Sequence, residues 1–271
     1  NMGNKDVRIT THYYEDNLLS NIFSIVHEGG HALYEQHIPD TLVNTGLDGG
    51  ASMGIHESQS RFYENIVGRS KEFLNFILPH IKEKFPSLSD ITLDEFYEGV
   101  NCVKPSLIRI EGDELTYSLH IIIRYEIEKA LINGEIEVGD LPKVWNKKYE
   151  EYLGVTPQDD EEGVLQDMHW SAGNIGYFPS YALGNLYGGQ FLNKMLKDNP
   201  SVMSELANGD LTYINSWLKD NIHIHGGNKT TLENKMLYKG IILIVDNDEI
   251  LTGNLSEGSE AISIWTKNSN I

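Results

Sequence analysis

The stretch "SIVHEGGHALYEQ", residues 24–36, decides how the rest of the chain is read. Ile25, Val26, Ala32 and Leu33 recur among polar residues in a helical pattern, yet the centre holds Gly29 and Gly30. Glycine inside a helix costs about 1 kcal/mol relative to alanine, so the pair works against the helix around it. It also separates His27 from His31, which lie four positions apart and therefore on one helix face. Two imidazoles one turn apart can aim at a single point, as zinc requires. Glu28 beside them can take a proton from a metal-bound water, which makes this the H-E-x-x-H pattern of metallohydrolases. A catalytic zinc needs a third protein ligand and an open position. Downstream, "GIHESQSRFYEN" at 54–65 offers His56 and Glu57 at the start of the next helix. On spacing alone Glu57 reads equally as that third ligand or as an acid favourable at a helix N-terminus.

The composition bounds what such a site can serve. With 271 residues, 40% hydrophobic and 10% aromatic, the chain falls with ordinary globular proteins. Its net charge of −19 repels phosphate backbones and anionic lipid, which argues against nucleic acid or membrane as partner. Cys102 is the single cysteine, so no intrachain disulfide forms; a reducing, cytoplasmic setting fits, and the thiol reads as buried and inert. No apolar run approaches the ~18 residues of a membrane span, and "NMGNKDVRIT" at the start lacks the apolar core of a signal peptide.

Residues 1–15 read as extended, "VRITTHYY" being rich in β-branched and aromatic residues. Asp16 and Asn17 are candidate N-caps for a helix reaching Gln36, with Pro39 beyond. A glycine-rich loop, "NTGLDGGASMGIHES", leads to a helix over 58–67, and "KEFLNFILPHIKEKF" has helical spacing interrupted by Pro79. Thr92 and Glu95 form a capping pattern for the next helix. "DELTYSLHIIIRYEIEKALI" is the clearest long helix, stopping at Asn133 and Gly134. "DLPKVWNKKYEEYLG" is a short amphipathic helix, "VLQDMHWSAGNIGYFPSYALG" a loop entering another, and "DLTYINSWLKDNIHIHGG" closes the helical region. The last forty or so residues differ: "GIILIVDNDEI" and "EAISIW" have strand-like runs. His120, in an apolar run, reads as a core histidine, the "HIH" at 223–225 as structural, and "DDEE" at 159–162 as a solvated loop.

Several separated motifs then agree in order. "DVRIT" at 6–10, "HEGGH" at 27–31, "HESQ" at 56–59, "IRIEGD" at 108–113 and "GVLQDMHW" at 163–170 together resemble the thermostable (Taq-type) metallocarboxypeptidase family, over roughly residues 6–225. "IRIEGD" matches that family's I-R-x-x-A/E-D motif, with Gly112 where alanine or glutamate is usual. The resemblance implies a mainly α fold of long helices with a deep groove, a small β element near the site, and a homodimer. It implies removal of single residues from the C-termini of peptide substrates, with one Zn2+ or Co2+ per chain. Carried over, His27, His31 and Glu57 bind the metal and Glu28 is the general base. Arg109 receives the substrate's terminal carboxylate; read from the residues alone, its guanidinium suits a bidentate pair with a carboxylate, with an ion pair to Glu111, Asp113 or Glu114 as the alternative. Asp6 and Arg8 shape the groove. His169 donates to the oxyanion, assisted by Tyr177 or Tyr181, although a packed loop aromatic fits either tyrosine. The glycines have two explanations: clearance for a peptide lying over the metal helix, or close packing by a neighbouring helix.

Family members are about twice this length and carry a His-Pro-Phe motif upstream of D-x-R-x-T. The chain is therefore expected to correspond to the C-terminal half, with a catalytic part over 1–225 and a divergent tail over 226–271. Two other readings keep part of the chemistry: a non-catalytic metal-binding fragment acting as an interaction module, and a metalloendopeptidase whose opened groove cleaves internally.

Overall fold

The computed structural model describes residues 5–228 and the backbone of three short strands further along the chain. Helix α1, Leu18–His37, starts where the Asn17 side chain accepts from the Ser20 amide, and stops before Ile38 and Pro39. Its first turns pack Phe23 against Leu74, Leu78 and Ile81 of α3 (Lys71–Lys84) and Phe96 and Val100 of α4 (Leu93–Val100). Both bonds of the Thr92–Glu95 capping box are present at the start of α4. Pro79 does not interrupt α3: the helix runs through it, held by the buried face of Leu74, Leu78 and Ile81.

Helix α2, Met53–Arg61, begins five residues before the sequence pattern suggests. Ser52 supplies the cap, its hydroxyl accepting from the Ile55 amide, so Gly54 sits in a helical first turn rather than in the loop. The helix continues into a π-helical turn, Phe62–Val67. α2 lies between α1 and α7 (Pro179–Asp198) at distances that leave no room for side chains. A Cβ on Gly30 of α1 would come within 2.5 Å of the Gln59 carbonyl oxygen, and one on Gly184 of α7 within 2.8 Å of the Glu57 carbonyl carbon. Of the two explanations for the central glycines, helix packing therefore accounts for Gly30. A Cβ on Gly29 would meet open space.

Helix α5, Tyr117–Ile132, starts four residues later than its apolar pattern, because Asp113 is spent on the turn before it: Oδ1 accepts from the amides of Leu115 and Thr116. α5 ends as expected at Asn133 with Gly134 at φ +71°, and α6 (Leu141–Leu153) ends at Gly154 with φ +68°. Ile123 and Ile127 of α5 pack on Trp145 and Tyr149 of α6. A short helix α8, Val202–Leu206, for which the sequence reading has no counterpart, and α9, Thr212–Asn221, complete the largest core with α1, α2 and α7.

His120 is a core histidine, fully buried and within 3.0 Å of the Tyr149 hydroxyl. His223 lies in a single 3-10 turn, His223–His225, fully buried between Gln59 and His37, a structural role as expected. Cys102 contradicts its expectation: the thiol is exposed, because it follows the end of α4 rather than the buried face of a helix.

The small β element expected beside the site is absent from residues 5–228. Residues 6–14 find no partner strand there; Thr11 instead bonds Ser24, and Tyr14 bonds the Asn21 side chain. The strands that are described are β1 (Ile244–Asp246), β2 (Glu249–Thr252) and β3 (Ile264–Trp265), paired antiparallel in that order; β1 and β3 lie within the two strand-like runs of the tail, and β2 extends past the end of the first. Among the described residues no helix is long and apolar enough to cross a membrane.

Candidate metal centre

His27 and His31 stand one turn apart on α1 with ring centroids 4.9 Å apart, and Glu57 reaches them from α2. Glu57 Oε2 lies 3.8 Å from His27 Nε2 and 3.7 Å from His31 Nε2. A tetrahedral zinc with ligand bonds of ~2.0–2.1 Å needs its donors roughly 3.4 Å apart, so the three groups fit a divalent ion with little movement. Among the described residues they are the one cluster of histidine, cysteine or acid side chains close enough to hold a metal. Glu57 is 2% exposed and its carboxylate faces the two histidines.

Each of the three is oriented from behind. His27 Nδ1 donates to Glu64 Oε2 at 2.8 Å, which leaves Nε2 bare toward Glu57. Glu64 comes from the π-helical turn and also accepts from Arg61 at 2.8 Å. Burial alone would raise the Glu64 pKa, but Arg61 and His27 outweigh it and hold the carboxyl down at about 2. Burial likewise opposes the charged form of His27, and the bond to Glu64 overcomes it, so its pKa is raised. His31 goes the other way: burial, with His27 and His56 nearby, pushes it down to about 3. Its Nδ1 lies 2.6 Å from His56 Nδ1. On Glu57, Oε1 accepts from the Tyr177 hydroxyl at 2.8 Å, and Ser60 Oγ lies 3.1 Å from Oε2.

Beside this cluster opens a cavity of about 440 Å³ whose wall includes His27, Glu28, Arg61, Arg69, Arg109 and Tyr181. Glu28 is half-buried, and its carboxylate makes no hydrogen bond or ion pair among the described residues. Arg109 is ion-paired, but with none of the three acids near it in sequence: Nε and Nη2 fork onto Asp167 at 3.1 and 2.8 Å. Its Nη1 donates to Tyr117 at 2.9 Å, leaving N–H groups unused on the cavity side. Burial would lower its pKa, yet Tyr117 and Asp167 hold it raised. Asp167 in turn accepts from the fully buried Arg124 at 2.6 Å. Gln166 accepts from the Arg109 amide and from Arg124, both at 2.9 Å. The "QD" of "GVLQDMHW" thus sets the position of Arg109.

Tyr181 lines the cavity, while His169 stands behind it with Nε2 3.1 Å from the Tyr181 hydroxyl and its ring 4.4 Å from that of Phe178. Burial and the nearby Arg109 lower the His169 pKa. Asp6 and Arg8 are not brought to the cluster. They form an exposed bidentate pair with each other at 2.9 and 2.8 Å, and the cavity wall begins at His12. Cys102 is part of that wall. Sequence reasoning passed over Glu64 and Arg124, named His56 without giving it a role, and held Asp167 only inside the "GVLQDMHW" motif. For Glu64, the seven-residue interval from Glu57 was a signal available in the chain itself.

A family model described as carboxypeptidase Taq (M32) metallopeptidase matches residues 1–241, reaching past residue 225, where the motif resemblance ends. Carboxypeptidase 1 of Bacillus subtilis is 54% identical over 84% of this chain and 46% of its own length. Thermostable carboxypeptidase 1 of Thermus thermophilus is 48% identical over 83% and 44%. Among solved structures, the M32 carboxypeptidase from Deinococcus radiodurans R1 has a TM-score of 0.79 at 42% identity, covering 83% of this chain and 46% of that one. Pyrococcus furiosus carboxypeptidase gives a TM-score of 0.80 at 44% identity, over 83% and 45%. The chain therefore spans a little under half the length of the curated relatives it matches.

Proposed function

Because the chain belongs to the carboxypeptidase Taq (M32) metallopeptidase family, we propose that it carries the catalytic half of a metallocarboxypeptidase that removes C-terminal residues from peptides. The observation that carries this reading is the convergence of His27, His31 and Glu57 beside a cavity holding both an unengaged carboxylate and a buried, oriented arginine. All of these residues lie within 1–225, the proposed catalytic part; of the tail proposed over 226–271, the family match takes in residues through 241.

One divalent ion, zinc or cobalt, would be held by His27 Nε2, His31 Nε2 and Glu57. It would supply Lewis-acid chemistry there, lowering the pKa of water and polarising a carbonyl. Arg109 takes the peptide's terminal carboxylate with the N–H groups that Asp167 and Tyr117 leave unused. The Asp167 fork and the Gln166 contact to its amide fix its direction before substrate arrives. Glu28 accepts the proton of the attacking water and returns it to the leaving amine, for which an unengaged carboxylate is suited. The Tyr181 hydroxyl donates to the oxyanion as it forms. His169 Nε2–H supports that hydroxyl from behind, so the histidine acts through the tyrosine. Tyr177 holds Glu57 rather than substrate.

Product mass spectrometry on an N-terminally blocked peptide tests the proposal, with added zinc or cobalt, a chelator control and a Glu28→Gln control. The expected result is a ladder of single-residue losses from the C-terminus, absent in both controls. Internal cuts would instead make the chain an endopeptidase. An untouched peptide with metal bound would leave it a metal-binding module.

A further inference from the structure

The proposed ligands differ in what stands behind them. His27 meets a carboxylate directly, whereas His31 meets a second histidine. His56 Nδ1 lies 2.6 Å from His31 Nδ1, and His56 Nε2 lies 2.8 Å from Glu35 Oε1. Glu35 sits one turn beyond His31 on α1, so His56 of α2 bridges two successive turns of the metal helix. We propose that His56, held by Glu35, is a positioning residue that keeps His31 in the tautomer able to bind metal. The inference rests on the reading of His31 as a ligand.

With both imidazoles neutral, the proton count leaves one arrangement. A carboxylate only accepts, so the proton between His56 and Glu35 belongs to His56 Nε2. Neutral His56 then presents a bare Nδ1, and the proton in the short contact to His31 must sit on His31 Nδ1. That leaves His31 Nε2 unprotonated, and Nε2 is the atom 3.7 Å from Glu57. Without the Glu35 contact, His56 could carry its proton on Nδ1 instead. His31 would then be driven to the opposite tautomer, with its ligand atom blocked.

The His56 ring is held in place for this. The Tyr34 ring packs 5.1 Å from it, and the Tyr34 hydroxyl is itself fixed by the Ala51 amide at 2.9 Å. On another side Gly50 makes room: a Cβ there would come within 2.8 Å of His56 Cδ2. Part of the glycine-rich stretch before α2 thus serves the histidine behind the metal site.

The test measures zinc affinity of the full chain by competition with a chromophoric chelator, for the parent and for His56→Leu, His56→Asn and Glu35→Leu. Asparagine places an acceptor oxygen where His56 carries Nδ1. The expected result is a loss of roughly 10–100-fold for His56→Leu and about 10-fold for Glu35→Leu, with His56→Asn restored to near the parent. His56→Leu as tight as the parent overturns the proposal, and so does His56→Asn no tighter than His56→Leu. If circular dichroism shows that His56→Leu does not fold, the half-buried Glu35→Leu decides: parent affinity there overturns the proposal. A parent that binds no zinc, or a His31→Ala variant that binds it as tightly, would instead strike the metal reading.

Discussion

Substituting the two central glycines of α1 separately should split packing from substrate clearance. Alanine at Gly30 must fit a Cβ within 2.5 Å of the Gln59 carbonyl oxygen, 2.7 Å of Ser60 Cα and 2.9 Å of the Gln59 carbonyl carbon. All are backbone atoms that no rotamer change can move, so α1 and α2 must separate. Overpacking of this kind costs ~1–3 kcal/mol, and rigid contacts place it near the upper end. Helix propensity returns about 1 kcal/mol, for a net loss of about 2 kcal/mol. Because Gln59 and Ser60 follow Glu57 on α2, the same shift withdraws the proposed third ligand, and zinc affinity should fall at least ~10-fold, the scale of a misplaced ligand environment. Alanine at Gly29 meets nothing within 4 Å, so Gly29→Ala should gain about 1 kcal/mol and lower kcat/KM if peptide passes over that turn. Thermal melts followed by circular dichroism, with zinc competition and peptide turnover, read all of these. Gly30→Ala as stable as Gly29→Ala would refute the packing argument. Gly29→Ala with unchanged turnover would refute clearance.

Acid should destabilise the fold through its buried histidines. Burial first, then Arg124 and Arg109, holds His120 at about 4, and burial with His37 and His56 holds His223 at about 3, both below the ordinary value of 6.5. Folded pKa values below the unfolded one mean stability is full above pH 6.5 and is lost as pH falls toward those values. By linkage each histidine costs about 2 kcal/mol at pH 5. Urea midpoints should therefore fall between pH 7 and 5, less so in His223→Gln, and a flat profile would contradict this. Asp167→Asn strands the buried guanidiniums of Arg109 and Arg124 and should cost ~3–5 kcal/mol by urea unfolding; a near-neutral result would mean the pair is not coupled as drawn. Arg109→Lys loses the fork onto a carboxylate, and kcat/KM on a free-acid peptide should drop ~10–100-fold, mostly through KM. A peptide with an amidated C-terminus should not distinguish this variant from the parent. Cys102 should react stoichiometrically with a small maleimide without denaturant, and a thiol that reacts only after unfolding would contradict its exposure.

What was legible in the chain is what local geometry dictates. The four-residue step between His27 and His31 puts both rings on one face of any helix that forms there. The Thr92–Glu95 box and Gly134 each mark a helix end by themselves, because caps and left-handed turns involve only neighbouring residues. Sequence order alone also gave the motif series that identified the family. Contacts between helices were another matter. Spacing could not show whether Glu57 meets the histidines or only ends a helix, since that lies in how closely α2 approaches α1, which depends on Gly30 and on Gly184, far along the chain. The partner of Arg109 was sought among its neighbours and found at Asp167, 58 positions away. Glu64 and His56 stand behind His27 and His31 because a π-helical turn and a Tyr34-lined slot aim them there. A residue's place along a helix follows from 3.6 residues per turn, but which side chain waits on the opposite helix is decided only when the helices pack.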